Sequence, residues 1–356
     1  MRSYQLVEFN GPIVCNEIAD PTPTGSEIVV DVITCGLCHS DSHFHEGHVS
    51  LGGAGNLPVA MLGINLPTSL GHEIFGRIAA FGPDSGYTQA DIGRPVVVYP
   101  WIGCGECHAC LAERDNECPV PQSLGMQRPG GHSEKLVVRD RKYLVPAEGL
   151  SEDYAGIFAC CGLTAYAALA KLPRRDGWIG IIGAGGVGTM ALSIEKGLNE
   201  SKVAIFDIDD AKLATATNNF GADKAVNSRA EGVGERLLAD TGGFIGIVDF
   251  VGSHQTVELA LSLLRNGGAY VGVGLFGGLI ELPVAALSSR QLRIQGSYCG
   301  SPAELRELVD HARAGRIKPI PTAVAPIELL NQGLAELRAG KIDGRLIHRH
   351  IRAITA

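Results

Sequence analysis

Trp178-Ile179-Gly180-Ile181-Ile182-Gly183-Ala184-Gly185-Gly186-Val187-Gly188 is the stretch that decides the fold. Its first five residues form the apolar run of a buried parallel strand. The next six match G-x-G-x-x-G and open a helix-like stretch, Gly188–Gly197. Gly183 makes the tight turn, Gly185 lets the backbone approach a pyrophosphate, and Gly188 lets helix and strand pack closely. Gly186 and Val187 fill the variable positions, at a helix N-terminus whose free N–H groups suit phosphates. Asp207 ends the next strand-like run, Lys202–Phe206, and follows Gly188 by 19 positions. A carboxylate there accepts from ribose hydroxyls and repels a 2′-phosphate. Ile208, Asp209 and Asp210 supply no arginine for that phosphate, so NAD is expected over NADP.

Working outward, the rhythm continues as a helix at Ala211–Phe220, a strand at Ile245–Val251, a helix at Thr256–Leu264 and a strand at Ala269–Val273. Alternating strands and helices predict a doubly wound parallel sheet of the Rossmann type. The first 150 or so residues differ in texture. Short β-like runs (Glu27–Ile33, Arg94–Tyr99, Lys135–Val138) are separated by Gly, Pro and Cys clusters, which predicts an irregular β-rich domain. After Gly296 the pattern is mixed again, with a helix at Ala303–Ala314. No internal repeat or low-complexity linker separates the parts. The expected boundaries are a β-rich domain over 1–155, a dinucleotide-binding domain over 156–297, and a return to the first domain over 298–356.

Composition bounds the answer. A chain of 356 residues suits two domains. With 45% hydrophobic and 19% charged residues, it has ample material for buried cores, which excludes disorder as the dominant state. Thirty basic against 38 acidic residues give a net charge of −8, and aromatics are 6%, so a general nucleic-acid binder is excluded. The start, Met1 to Glu8, places a carboxylate where a signal peptide needs its apolar stretch. The charge-poor run His48–Gly71 is long enough to span a bilayer, but its glycines and prolines read as a loop-rich segment. A soluble, cytoplasmic protein with no membrane partner is expected. Ten cysteines in such a chain suggest metal ligands rather than disulfides.

Four of them, Cys104, Cys107, Cys110 and Cys118, form C-x2-C-x2-C-x7-C. Four thiolates so close together can wrap a tetrahedral zinc with no open position, a structural site, although an iron–sulfur cluster would use the same ligands. A second set is dispersed: Cys38-His39-Ser40-Asp41, then Gly71-His72-Glu73, then Cys160-Cys161-Gly162. Beside a dinucleotide site, it suggests a zinc held by two sulfurs and one nitrogen, with one position open for substrate.

Taken together, Cys-Gly-Leu-Cys-His-Ser-Asp (35–41), Gly-His-Glu (71–73), the four-cysteine lobe, Cys-Cys-Gly-Leu-Thr-Ala-Tyr (160–166) and the glycine turn resemble the zinc-dependent alcohol dehydrogenases of the medium-chain dehydrogenase/reductase superfamily. The matching pieces span most of the chain in the family's order. The resemblance implies a GroES-like catalytic domain joined to the Rossmann domain, and two zinc ions per chain. It implies that Cys38, His72 and Cys160 hold the catalytic zinc, with Cys161 as the neighbour that could be confused with Cys160. Asp41 matches the residue that orients the zinc-bound histidine, and Glu73 the carboxylate near the metal. The implied chemistry is Lewis-acid activation of an alcohol oxygen and hydride transfer to NAD. Ser40 would accept the proton and His43 would pass it on through the coenzyme ribose. His39 would lie near the pyrophosphate, Lys212 near the adenosine ribose and Arg345 near a phosphate.

Other readings follow. His45 and His48 read as surface-loop residues, and Cys15, Cys35 and Cys299 as packing; His108 finds no free position on a four-thiolate zinc. Tyr99 and Trp101 are expected to face the pocket. From Cys38 to His72 is 34 positions, longer than expected in compact family members. The extra material, Gly52 to Leu62, is apolar and glycine-rich, and is expected to wall the substrate cleft or to meet another subunit. The short span from Cys118 to Gly131 resembles the tetrameric microbial type, paired through an edge strand near Leu292–Tyr298. Zinc aldehyde, formaldehyde or CoA-thioester alcohol dehydrogenases share the same apparatus. A non-catalytic NAD-binding protein would have no need of Cys38, His72, Cys160, Ser40 and His43 together.

Overall fold

Consecutive β-branched residues in Ile28-Val29-Val30-Asp31-Val32-Ile33 mark a strand buried on both faces, and that strand is central to the first sheet. A computed structural model describes residues 1–52, 55–173 and 176–350. β1 (Arg2–Leu6) and β2 (Ile13–Glu17) form an antiparallel pair. β3 (Ile28–Gly36) leads into helix α1 (His39–Glu46), and a small hairpin follows, β4 (His48–Ser50) with β5 (Asn56–Pro58). Next come β6 (Glu73–Phe81), β7 (Pro95–Val98), the single turn α2 (His108–Leu111), β8 (Lys135–Val138) and β9 (Leu144–Pro146).

Helix α3 (Cys161–Ala170) carries the chain to the second sheet. There β10 (Trp178–Ile182), α4 (Gly186–Leu198), β11 (Lys202–Asp207), α5 (Asp210–Phe220) and β12 (Lys224–Asn227) make the first half. The second half is α6 (Val233–Thr241), β13 (Phe244–Asp249), α7 (His254–Leu263), β14 (Leu264–Gly272), α8 (Val284–Ser289) and β15 (Arg293–Gly296). The chain then returns through α9 (Pro302–Arg313), β16 (Thr322–Pro326), α10 (Leu330–Arg338) and β17 (Arg345–Arg349).

The second sheet runs β12-β11-β10-β13-β14-β15, and all its pairings are parallel. Counted within the sheet this is the order 3-2-1-4-5-6, which places a ligand crevice beyond the carboxyl ends of β10 and β13. The first sheet runs β16-β17-β3-β6-β7-β9, with β8 also on β3, so the C-terminal return inserts β17 directly beside β3. No helix among the described residues is long and apolar enough to cross a membrane.

Three local differences from expectation have clear causes. Helix α4 opens at Gly186, two residues early, because Gly185 is the extended residue that precedes the helix (φ −74°, ψ −170°). Strand β13 ends at Asp249, since Asp249 Oδ1 accepts from the N–H groups of Val251 and Gly252 and turns the chain. The stretch expected to be loop-rich holds the β4–β5 hairpin and a short 3₁₀ turn, Val59–Leu62. Its glycines make the hairpin bend: Leu51 N–H donates to the Gly55 carbonyl and Gly55 N–H to that of Gly52. Gly53 and Ala54, part of that stretch, lie outside the described residues.

The glycine motif is enforced by contact at one position and by nothing local at another. A Cβ on Gly188 would sit 1.7 Å from the Gly183 carbonyl oxygen, whereas one on Gly185 would meet nothing within 4 Å. Gly188→Ala is therefore expected to cost at least about 1–3 kcal/mol through forced backbone displacement. Gly185→Ala should leave thermal unfolding unchanged, and melting curves of the two variants check the contrast.

Candidate active site

The site starts from one strand pairing. β3 and β6 are antiparallel with Gly36 opposite Glu73, so Cys38, just past β3, and His72, just before β6, emerge at the same end of the sheet. Cys160 immediately precedes α3 and completes a buried trio whose ligand atoms lie within 4.8 Å of one another. The Cys38 and Cys160 sulfurs are 4.0 Å apart. A tetrahedron with metal–sulfur bonds of about 2.3 Å has edges near 3.8 Å, so this spacing fits zinc. His72 Nε2 is buried without a hydrogen-bond partner, as a ring nitrogen reserved for a metal would be. A hydrogen bond from Cys160 holds the Cys38 thiol well below its ordinary range despite burial, with His72 acting in the same direction.

Asp41 organises the trio from behind. It is fully buried, accepts from Cys38 N–H (2.9 Å) and Gly71 N–H (3.1 Å), and places Oδ1 3.3 Å from His72 Nδ1. The carboxylate thus fixes the backbone beside two of the three ligand residues and orients the imidazole of the second. Glu73 is equally buried. Burial pushes its carboxyl up to about 7, opposed by the charge of Arg345, whose Nη2 lies 3.1 Å away.

Arg345 reaches across to the glycine turn. Its guanidinium is 4% exposed, and a Cβ added at Gly186 would approach Arg345 Nε to 3.3 Å. Arg345 Nε is buried and has no hydrogen-bond partner among the described residues, so a cation with an unused donor faces the N-terminus of α4. That combination fits an anionic phosphate. Gly183, Gly185, Gly186, Val187 and Gly188 line the same cleft, with Asp207 and Lys212 further along it. Asp207 Oδ2 accepts from Ala184 N–H (2.6 Å), which ties this carboxylate to the glycine turn itself.

The cleft measures about 1900 Å³. Pockets for a single small ligand run to about 1,000 Å³, so this one has room for a dinucleotide and a substrate. Helix α1 presents His39, Ser40 and His43 to it, and Ser40 Oγ lies 3.8 Å from the Cys38 sulfur. Cys160, Trp101, Leu57, Met61 and Leu62 line it as well. The Trp101 ring lies 5.3 Å from that of His72, and its indole N–H donates to the Ala159 carbonyl.

Outside the cleft, Cys104, Cys107, Cys110 and Cys118 converge within 4.8 Å. Their sulfurs are 3.5 Å (Cys107–Cys110), 3.8 Å (Cys107–Cys118) and 4.0 Å (Cys104–Cys110) apart, close to the edges of a zinc–thiolate tetrahedron. The Glu106 and Cys107 N–H groups draw the Cys104 thiol down to about 6, the state in which it ligates a metal.

Several expectations need correction. Cys161, the candidate rival of Cys160, points away from the trio and donates to the Gly186 carbonyl (3.4 Å). Tyr99 does not face the cleft: it is fully buried, stacks on Tyr143 and donates to the Gly300 carbonyl. His45 is not a surface-loop residue but lies in α1, 5% exposed, between the Gly11 carbonyl and Arg338. Cys15 is exposed rather than packed, because its position in the edge strand β2 faces outward. Arg338 lines the cleft and grips α1, and no sequence signal marked it. In the amphipathic helix α10 it reads as ordinary solvated charge.

Residues 24–149 match the model of the alcohol dehydrogenase GroES-like domain, and residues 186–314 that of the zinc-binding dehydrogenase. An NAD-dependent alcohol dehydrogenase of Sulfurisphaera tokodaii is 32% identical over 98% of this chain and 99% of its own length. One of Sulfolobus acidocaldarius is 34% identical over the same shares. Among solved structures, the alcohol dehydrogenase of Aeropyrum pernix superposes with a TM-score of 0.85 at 27% identity, covering 98% of this chain and all of that one.

The buried Glu73–Arg345 pair makes a direct prediction. At alkaline pH, where the Glu73 carboxyl is fully ionised, Glu73→Gln leaves the Arg345 guanidinium buried without this countercharge, a change that costs about 3–5 kcal/mol. Adding Arg345→Met should restore much of that loss. Urea unfolding of the single and double variants measures both steps.

Proposed function

We propose that this chain, which belongs to the zinc-dependent alcohol dehydrogenases of the medium-chain dehydrogenase/reductase superfamily, oxidises bulky or apolar primary and secondary alcohols reversibly to aldehydes or ketones. The reaction class is NAD-dependent alcohol dehydrogenation. The observation that carries the reading is the convergence of Cys38, His72 and Cys160 on a cleft whose other end is the glycine turn with Asp207. Zinc at the trio would supply Lewis acidity to the alcohol oxygen. NAD would accept the hydride.

The chain's own residues do the rest. Leu57, Met61, Leu62 and Trp101 give the substrate end an apolar wall. Ser40, beside the Cys38 sulfur, takes the proton of the alcohol hydroxyl, and His43 on the next turn of α1 carries it toward the coenzyme ribose and solvent. Asp41 keeps the His72 ring in place. Asp207 and Lys212 hold the adenosine ribose, and His39 with Arg345 the pyrophosphate.

The four-cysteine lobe supports a second, structural zinc. The exposed edge strand β15 could pair with its two-fold mate to build a dimer, doubled into a homotetramer. Free cysteines throughout the described residues support a reducing, cytoplasmic setting.

Metal analysis of the purified protein should find two zinc ions per chain. Cys107→Ser should lose one of them and much thermal stability, with the trio's metal retained. NAD reduction across a panel from ethanol to cyclic and aromatic secondary alcohols tests the substrate. Turnover should favour the bulky members, and shortening the β4–β5 hairpin should lower the bulky-to-ethanol ratio roughly tenfold. An unchanged ratio removes the hairpin as selector. In the same assay Asp207→Ala should raise relative use of NADP, since repulsion of a 2′-phosphate is lost.

A further inference from the structure

Helix α1 is an unusual carrier for a proton path. Of its eight residues, His-Ser-Asp-Ser-His-Phe-His-Glu, only Phe44 is apolar, while Asp41, Ser42 and His45 are buried beside it. A short helix without an apolar stripe cannot be held by hydrophobic packing alone. Hydrogen bonds must fix it, and they come from two sides. Asn10 donates through its N–H to the His45 carbonyl (2.8 Å) and through Nδ2 to the Glu46 carbonyl (3.2 Å). Arg338, the last residue of α10, grips the helix from the other side. Its Nε donates to Ser42 Oγ (2.8 Å) and lies 3.0 Å from Glu46 Oε1, and its Nη2 lies 2.8 Å from His45 Nδ1.

The tautomer of His45 follows from its partners. Nε2 lies 2.7 Å from the Gly11 carbonyl oxygen, which can only accept, so Nε2 carries the hydrogen and Nδ1 accepts from Arg338. The neutral ring is thus a fitted link between the N-terminal segment and α10. Asn331, one helical stretch earlier in α10, binds Ile13 at both N–H and carbonyl and closes the same frame.

We propose that Arg338 is a positioning residue for the reaction. Through Ser42, His45 and Glu46 it sets the rotation of α1, and so the aim of Ser40 and His43 into the cleft. The proposal rests on the reading of Ser40 and His43 as the proton path given above. A guanidinium suits the task because two nitrogens fixed in one plane meet three acceptors, Nε facing Ser42 and Glu46 and Nη2 facing His45, a fixed spacing that a single ammonium cannot match.

Single-turnover NADH formation by the zinc-loaded enzyme, from neutral to strongly alkaline pH, tests it in Arg338→Ala, Arg338→Lys, His45→Leu, His45→Gln and His43→Ala. Arg338→Ala should slow the step about ten- to hundredfold near neutral pH. The gap should close at alkaline pH, where hydroxide takes the proton without the relay. Arg338→Lys should recover only part. His45→Gln, whose amide can donate to Gly11 and accept from Arg338, should retain more rate than His45→Leu, and these two carry the test if Arg338→Ala fails to fold. Added guanidinium ion should restore part of the Arg338→Ala rate. An equal loss at every pH, or a raised KM for NAD with an unchanged rate, overturns the positioning role. A His43→Ala enzyme as fast as the parent removes the relay itself, and a parent inactive on every alcohol removes the proposed function.

Discussion

The register between β3 and β6 is the constraint on which the rest depends. With Gly36 opposite Glu73, the two strands end together and deliver Cys38 and His72 to one point. A Cβ on Gly36 would lie 2.2 Å from a Glu73 carboxylate oxygen, so any larger residue there displaces the Glu73 side chain. A slip of one residue would also turn Glu73 to the opposite face. It would take the carboxylate away from Arg345, so strand register sets the electrostatics as well as the geometry.

Arg345 links that point to the second sheet. It stands at the start of β17, which lies beside β3, and it touches Glu73 on one side and the Gly186 turn on the other. The C-terminal return of the chain is therefore what brings a metal-side carboxylate and a phosphate-side helix terminus into one buried network. A charge so buried is costly unless matched, and here it is matched by Glu73 and left with a spare donor facing the cleft.

What the sequence made legible was local and chemical. The glycine turn, the C-x2-C-x2-C-x7-C lobe and the order of Cys38, His72 and Cys160 each impose a spacing that few other structures require. Strand and helix positions in the second sheet followed from period and turn signals, with ends moved by single residues such as Gly185 and Asp249. What stayed hidden depended on partners far along the chain. His45 reads as one more polar residue in a histidine-rich run until Gly11 and Arg338, 34 and 293 positions away, close around it. Tyr99, two positions before the cleft residue Trp101, suggested a cleft residue, yet Tyr143 and Gly300 claim its ring and hydroxyl.

The two cysteine sets divide the work between shape and chemistry. Four sulfurs at tetrahedral spacing would leave a zinc no vertex for a substrate, whereas two sulfurs and a nitrogen would leave one, and Cys38 and Cys160 line the cleft. The closed set still bears on the open one. Its lobe is fastened by buried Asp115, which accepts from Lys142 (2.9 Å) and the Tyr143 hydroxyl (2.7 Å), and Asn116 beside it donates to the Tyr298 carbonyl. Tyr298 in turn packs edge-on against Trp101, 5.6 Å between ring centres, and Trp101 lies over His72. Fixing four thiolates thus braces the aromatic wall beside the open metal position. A lobe outside the cleft is joined, through Asn116, Tyr298 and Trp101, to the cleft wall.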